Sequence, residues 1–325
     1  MNQNIAIIGA GISGLSAARN LVEGNNIILF DKSRGVGGRM STRYSEAYEF
    51  DHGAQYFTAK DKRFKALLSS KISEDVIKPW ESRAFYKKDN KLTPDTGEFR
   101  YVSQPRMNSF AKKLSKDLNI RLNSKVSSIY RDLKKWVVET SDGKAYKNFD
   151  IVILALPNQQ ALSLMPPETS YFDEVQKTQM DPCFALMVGF KKKYDFGWDS
   201  LRLNNNINSW LAVNSSKPGR SDDLTTLVIH SEIEWSKKNK SSDKSWIQNQ
   251  MASAASKTCG IDISRAHHKV IHRWMFASVS KSSSKGCFYD HSLNIATCGD
   301  WCNGGRVEGA YISGLMAANI IKEKF

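Results

Sequence analysis

Long apolar runs are missing from this 325-residue chain, in which none exceeds the six residues of Ile151 to Leu156. A membrane helix needs about 20, so no membrane partner is expected. A secretory leader is missing too. The first apolar stretch, Ile5 to Ile8, runs straight into a glycine loop with no basic segment before it, and a cytoplasmic location is the expectation. Cysteine is scarce and odd in number. Cys183, Cys259, Cys287, Cys298 and Cys302 cannot all pair, which argues against a disulfide framework and for a reducing compartment. Cys298 and Cys302 have no second pair to complete a zinc site. His268 and His272 flank Lys269-Val270-Ile271, which reads as strand. Four residues there span about 13 Å, too far for one ion, so both are expected to be structural and no metal is expected. No grouping of Ser, His and Asp suggests a nucleophile.

Acidic residues are also in short supply, with 33 Asp and Glu against 47 Lys and Arg, for a net charge of +14. The lysines fall in scattered clusters such as 191–193 and 237–240, not in one stripe interleaved with aromatics. A nucleic-acid partner therefore ranks well behind a solvated surface. Excess positive charge also steers small polyanions toward a protein. Repeats and low-complexity tracts are absent, and Ser278 to Lys285 is the best candidate for a mobile loop. The 41% apolar and 25% charged content, with a mean hydropathy of −0.45, suits a globular protein of one large or two modest domains.

What is present begins at once. Asn4 to Ile8 reads as a buried parallel strand, Gly9-Ala10-Gly11-Ile12-Ser13-Gly14 follows, and Leu15 to Val22 takes helical periodicity. Strand, glycine turn and helix form the context that G-x-G-x-x-G requires. Gly9 permits the turn, Gly11 admits a pyrophosphate to the backbone, and Gly14 lets helix and strand pack closely. Ile12 and Ser13 would present free N–H groups at the helix N-terminus. A second strand, Asn26 to Phe30, ends at Asp31-Lys32, and Asp31 lies about 20 residues beyond the central glycine, where an acid accepts from ribose hydroxyls.

That fingerprint serves NAD and FAD alike, and two further segments decide between them. Arg34 to Thr42 carries Gly37-Gly38-Arg39, whose glycines give a flexible backbone and whose guanidinium fork suits phosphate. Leu293 to Trp301 is an apolar strand closing in Gly299-Asp300, before a helix from about Glu308-Gly309-Ala310 to Ile321. Such a helix directs its positive end at charge built on a reduced ring. Together these blocks resemble the glutathione-reductase-like flavoproteins that include the amine oxidases, which implies non-covalent FAD. By that resemblance Asp300 would meet the ribityl chain, Val126 would bind adenine through its backbone, and Gly309 would allow close approach of the ring.

Narrower matches follow. Phe50-Asp51-His52-Gly53-Ala54-Gln55-Tyr56-Phe57-Thr58-Ala59 and Gly304-Gly305-Arg306-Val307-Glu308-Gly309-Ala310-Tyr311-Ile312-Ser313-Gly314 resemble segments of bacterial renalase-like proteins. Gln104 to Asn108 and Ile153 to Pro157 sit where that family keeps similar segments. The resemblance implies oxidation of 2- and 6-dihydro isomers of NAD(P)H to β-NAD(P)+, with electrons passing to O2 to give hydrogen peroxide. One departure is Met275, in His272-Arg273-Trp274-Met275-Phe276-Ala277, where the family often has arginine. An amine oxidase or desaturase on the same scaffold is the alternative within enzymes, and a basic protein keeping FAD as a relic is the alternative outside them.

The expected architecture is α/β: a discontinuous Rossmann-type FAD-binding domain (1–60, 100–165 and 285–325) and an α+β substrate domain (61–99 and 166–284). Period-two alternation at Asn208 to Val213 and Leu224 to Ser231 predicts an antiparallel sheet over the flavin. Gln55, Tyr56, Phe57, Thr58 and Ala59, with Trp210, His230 and Trp274, are the expected substrate wall. Hydride transfer from a dihydronicotinamide leaves an aromatic cation and releases no proton. Positioning then suffices, and no catalytic side chain is expected.

Overall fold

Ile5, Ala6 and Ile7 are all fully buried, as a central parallel strand covered on both faces requires. The computed structural model describes residues 2–45, 47–89, 91–97, 99–204 and 207–325. In it Asn4–Ile8 pairs in parallel with Asn26–Phe30 on one side and Ile151–Leu154 on the other. Ile120–Arg121 and Ile295–Thr297 extend the sheet in parallel, and Phe288–Asp290 closes it as an antiparallel edge. Alternate side chains part to opposite faces. Ile5 and Ile7 join Leu15 and Leu21 of helix Ile12–Leu21 and Ile312 and Ile321 of helix Arg306–Lys324. Ala6 and Ile8 meet Trp136, Val138 and Phe149 of the three-stranded antiparallel sheet Val126–Asp132, Lys135–Thr140 and Ala145–Phe149.

The two helices touch through backbone. A Cβ on Gly314 would stand 2.0 Å from the Ser13 carbonyl oxygen, and Ser16 Oγ donates to the Tyr311 carbonyl at 2.8 Å. This contact sets the C-terminal helix beside the glycine loop.

A second, seven-stranded sheet runs His268–Lys281, Gln179–Phe190, Thr225–Ser231, Asn208–Val213, Ser200–Leu203, Ala84–Lys88, Lys91–Pro94. Its pairs are antiparallel save one, Ala84–Lys88 with Ser200–Leu203. Phe184, Leu186 and Val188 face helix Lys244–Cys259 through Ile247, Met251 and Ala255. That helix starts at Asp243, whose carboxylate accepts from the Ser245 and Trp246 N–H groups, and stops at Gly260 with φ 68°. The opposite face, carrying His230 and His272, lines the cavity described below.

Three local expectations change. The segment from Ser278 is not a loop at its start, because the long strand continues to Lys281. The C-terminal helix begins at Arg306, two residues before the expected start, so Glu308 and Gly309 lie inside its first turn. The first helix begins at Ile12, earlier than its apolar periodicity showed. Among the described residues no helix is long and apolar enough to cross a membrane.

Candidate active site

A cavity of about 2140 Å³ runs from the glycine loop to the second sheet. Drug-sized ligands occupy roughly 300–1,000 Å³, so this one has room for a cofactor and a substrate together. Its nucleotide end is made largely of backbone. Gly9 has φ +107°, and a Cβ there would meet the Ala155 carbonyl at 2.4 Å. A Cβ on Gly14 would stand 2.0 Å from the Gly9 carbonyl. Gly11 instead faces open space, with nothing within 4 Å of its Cβ position. Behind it are the first-turn N–H groups that no helix can satisfy internally. Asp31, at the end of the second strand, accepts from the Ala10 N–H and the Ser33 N–H, each at 2.8 Å. Ser124 N–H donates to the Asp31 carbonyl, bringing Val126 alongside. This cradle fits the pyrophosphate and ribose of an adenine dinucleotide such as FAD.

The middle of the cavity is crossed by one guanidinium. Arg39 grips Asp300 with both arms, at 2.8 and 2.6 Å, and donates to the Ala277 carbonyl at 3.2 Å. Its own carbonyl accepts from the Ala54 N–H at 2.8 Å, and a Cβ on Gly53 would lie 1.9 Å from that oxygen. Arg39 therefore ties together the glycine-arginine loop, the C-terminal strand end, the long strand His268–Lys281 and the His52–Gly53 turn. The fork expected to clasp phosphate is committed to Asp300.

The far end is made of side chains brought together across strands. Cross-strand register sets His272, Ala185, His230, Trp210, Arg202 and Tyr86 in one row on one face. All but Ala185 line the cavity. Against this row lies the turn from His52 to Thr58. The His52 ring stacks on Trp274 at 5.0 Å and meets His272 edge-on at 4.8 Å. The His52 carbonyl accepts from Trp274 Nε1 at 3.0 Å and approaches His230 Nε2 at 3.3 Å. Burial pushes all three imidazoles down. His52 falls to about 3, helped by His272 and Arg43, while His230 and His272 each fall to about 4, helped respectively by Lys217 and by Arg43 with Lys244. All three are uncharged near neutral pH.

Behind the turn is a buried ionic cluster. Asp51, 1% exposed, receives Arg220 at 2.5 Å and Lys217 at 3.4 Å on Oδ2, and Thr42 Oγ1 and the Met107 N–H on Oδ1. Burial pushes the Asp51 carboxyl up, but Lys217 and Arg220 outweigh it and hold the group at about 2. Burial pushes Lys217 down to about 8 against the pull of Asp51. Lys217 also donates to Gln55 Oε1 at 3.2 Å and Asn214 Oδ1 at 3.1 Å.

Of the residues singled out from the sequence, Gly9, Gly11, Ile12, Ser13, Asp31, Lys32, Gly38, Arg39, Val126, Asp300 and Ala310 line the cavity, as do Gln55, Tyr56, Phe57, Thr58, Trp210, His230 and Trp274. Four do not. Glu308 is turned away, its Oε1 accepting from the Lys60 and Asp61 N–H groups at 2.6 and 2.7 Å. Gly309 is needed for a different neighbour, since a Cβ there would strike the Asn303 carbonyl at 2.5 Å. Gly14 serves helix packing alone, and Ala59 lies beyond the lining. His272, expected to be structural, is on the wall with Met275 beside it. Sequence reasoning also passed over Arg43, His52, Tyr86, Arg202 and Lys217. Only His52 carried a signal, standing inside the Phe50–Ala59 stretch already singled out.

Residues 81–322 match the model of the flavin containing amine oxidoreductases, and residues 7–70 match an NAD(P)-binding Rossmann-like domain. The chain belongs to the flavin-containing amine oxidoreductase family. Membership of that family indicates FAD as the cofactor. It is similar to renalase from Mus musculus, 27% identical over 205 residues, covering 59% of this chain and 57% of renalase. A 4,4'-diapophytoene desaturase from Staphylococcus haemolyticus is 38% identical over 76 residues, 22% of this chain and 15% of the desaturase. The chain thus aligns with little more than half of the first of these relatives and a small part of the second. In fold it resembles reduced UDP-galactopyranose mutase, with a TM-score of 0.80 at 12% identity over 100% of this chain and 95% of that one. Putrescine oxidase bound to putrescine gives 0.76 at 12% identity over 99% of each.

Proposed function

We propose that this flavoenzyme oxidises dihydronicotinamide dinucleotides hydrogenated at the wrong ring position, the 2- and 6-dihydro isomers of NAD(P)H. The products are β-NAD(P)+ and, with O2 and a proton, hydrogen peroxide. The observation carrying this reading is the charge of the cavity wall. Asp31 and Asp300 are the two carboxylates lining it among the described residues, and both belong to the nucleotide end. The substrate end instead presents Arg43 and Arg202 with neutral imidazoles and indoles. An ammonium substrate finds no carboxylate there to pair with, whereas a dinucleotide pyrophosphate is attracted.

In this reading Gly9, Gly11, Ile12 and Ser13 hold the pyrophosphate of non-covalent FAD, Asp31 its ribose, Val126 its adenine and Asp300 its ribityl chain. FAD, when bound, supplies the hydride acceptor. The chain's own part is to bind, orient and exclude water. Trp210, Trp274 and Tyr56 offer flat apolar faces to a planar ring, and the uncharged histidines avoid repelling the cation formed from it. No side chain is required as acid or base, because the donor ring loses a hydride and no proton.

Anaerobic titration of the yellow protein with 6-dihydroNAD and with candidate amines tests this reading. Bleaching of the flavin band by the dihydronicotinamide supports it, and bleaching by amines alone overturns it.

A further inference from the structure

His230 sits in the middle of the cross-strand row, and the hydrogens around it can be counted. Gln55 Oε1 accepts from the Lys217 ammonium at 3.2 Å, which fixes the amide with its nitrogen on the other side. The two hydrogens on Nε2 then go to the Asp51 carbonyl at 2.5 Å and the Gly53 carbonyl at 3.1 Å. None is left for His230 Nε2, which lies 3.5 Å from Gln55 Nε2. The remaining neighbour of that ring nitrogen is the His52 carbonyl at 3.3 Å, an acceptor only. His230 Nε2 must therefore carry the proton and donate it to His52. Because burial and the nearby Lys217 keep the ring uncharged, the second nitrogen, Nδ1, is a bare lone pair. It meets no hydrogen-bond partner among the described residues, and His230 lines the cavity.

We propose that His230 Nδ1 is a specificity-determining acceptor for an N–H donor on the substrate, and that Lys217 and Gln55 are the positioning residues that keep it so. Resting on the dihydronicotinamide reading, the donor is the carboxamide N–H of the substrate ring. A site built to accept an N–H rejects analogues that lack one more sharply than a purely apolar pocket would. Lys217 is fully buried and touches the substrate only through this relay.

Two measurements on the FAD-loaded protein test the proposal. In the first, nitrogen NMR of histidine-labelled protein reads the His230 tautomer, assigned by its loss in H230F. A proton on Nε2 and a bare Nδ1 are expected; a proton on Nδ1 overturns the proposal. In the second, anaerobic flavin bleaching is titrated with 6-dihydroNAD and with its acetylpyridine analogue, which has no amide N–H. H230F should weaken affinity for the carboxamide roughly tenfold and leave the analogue unchanged, while H230Q, which keeps an acceptor, should recover part of the loss. Equal effects on both ligands, or none on either, overturn the acceptor role. If the wild type is bleached by neither ligand, the functional reading falls and takes the carboxamide assignment with it, whereas the tautomer is still judged by the NMR spectrum. Q55L, which removes the amide and leaves Lys217 its contacts to Asp51 and Asn214, should loosen carboxamide binding as H230F does. No effect in Q55L would remove Gln55 and Lys217 from the relay.

Discussion

The two ends of the cavity are built on opposite principles. The nucleotide end is a backbone surface: Gly9 and Gly14 are glycines because a Cβ would strike a carbonyl at 2.4 or 2.0 Å, and what it offers the cavity is N–H groups and one strand-end acid. The substrate end is a side-chain surface on strands far apart in sequence, supported from behind by a buried salt-bridge cluster. The first tolerates almost any side chain that does not intrude. The second depends on charges and tautomers that one substitution can upset. Different kinds of mutation should therefore damage the two ends.

The largest effect is expected behind the substrate wall. Asp51→Asn leaves Lys217 and Arg220 buried with no counter-charge, and removing one partner of a buried ion pair costs about 3–5 kcal/mol. Denaturant unfolding should show this loss, and substrate affinity should fall with it, because the His52–Thr58 turn hangs on the same carboxylate. A loss below about 1 kcal/mol would mean the cluster is far better hydrated than its 0–3% side-chain exposures indicate. Acid should have a related effect. His52, His230 and His272 titrate at about 3 to 4 in the folded chain and near 6.5 when unfolded. Between those values the unfolded chain binds protons the folded one refuses, so stability is full above pH 6.5 and falls as pH drops toward 4. Asp51, held at about 2, adds its own loss between about pH 4 and 2. Melting temperature against pH should slope steeply across the first window, and H230F should flatten part of that slope.

The joint between the two ends should show an intermediate effect. Arg39→Ala removes a bidentate grip from Asp300, whose side chain is 8% exposed, together with a bond to the Ala277 carbonyl. Hydrogen bonds to charged groups are worth about 1.5–3 kcal/mol, and a loss of that size is expected in the apoprotein. If R39A instead weakens FAD retention with the apoprotein's melting unchanged, then the guanidinium serves the cofactor and not the joint.

The same contrast explains what the sequence made legible. The parallel sheet, the glycine loop, Asp31 and the Gly-Asp strand end were readable because each is a local pattern tied to a backbone need: a positive φ, a close approach, a strand end. The antiparallel alternation at Asn208 to Val213 and Leu224 to Ser231 was readable for the same reason. The row from His272 to Arg202 was not, because it exists only once five strands pair in register. Strand spacing rules out one metal ion shared by His268 and His272, but nothing in Lys269-Val270-Ile271 reveals which face the cavity takes. Glu308 and Gly309 mislead in the opposite way. They sit in a motif that adjoins the cavity, yet one satisfies the N–H groups of Lys60 and Asp61 and the other makes room for Asn303. A motif marks a neighbourhood, and only the folded chain separates the residues that face the cavity from those that hold the neighbourhood together.

The smallest expected effect on stability is also the sharpest test of the backbone end. Gly14→Ala forces a methyl group against the Gly9 carbonyl and should cost about 1–3 kcal/mol through overpacking, lowering the melting temperature of the apoprotein. Gly11→Ala places the same methyl group where nothing lies within 4 Å, at a residue whose φ of −75° suits any side chain. The apoprotein should melt within about 0.5 kcal/mol of the wild type. FAD affinity should nonetheless drop by at least about tenfold, since the methyl group occupies the approach the pyrophosphate needs. Calorimetric melting of the two apoproteins, followed by FAD titration of each, separates the roles. Should G11A bind FAD as tightly as the wild type, the loop does not meet the pyrophosphate, and the backbone account of this end is wrong.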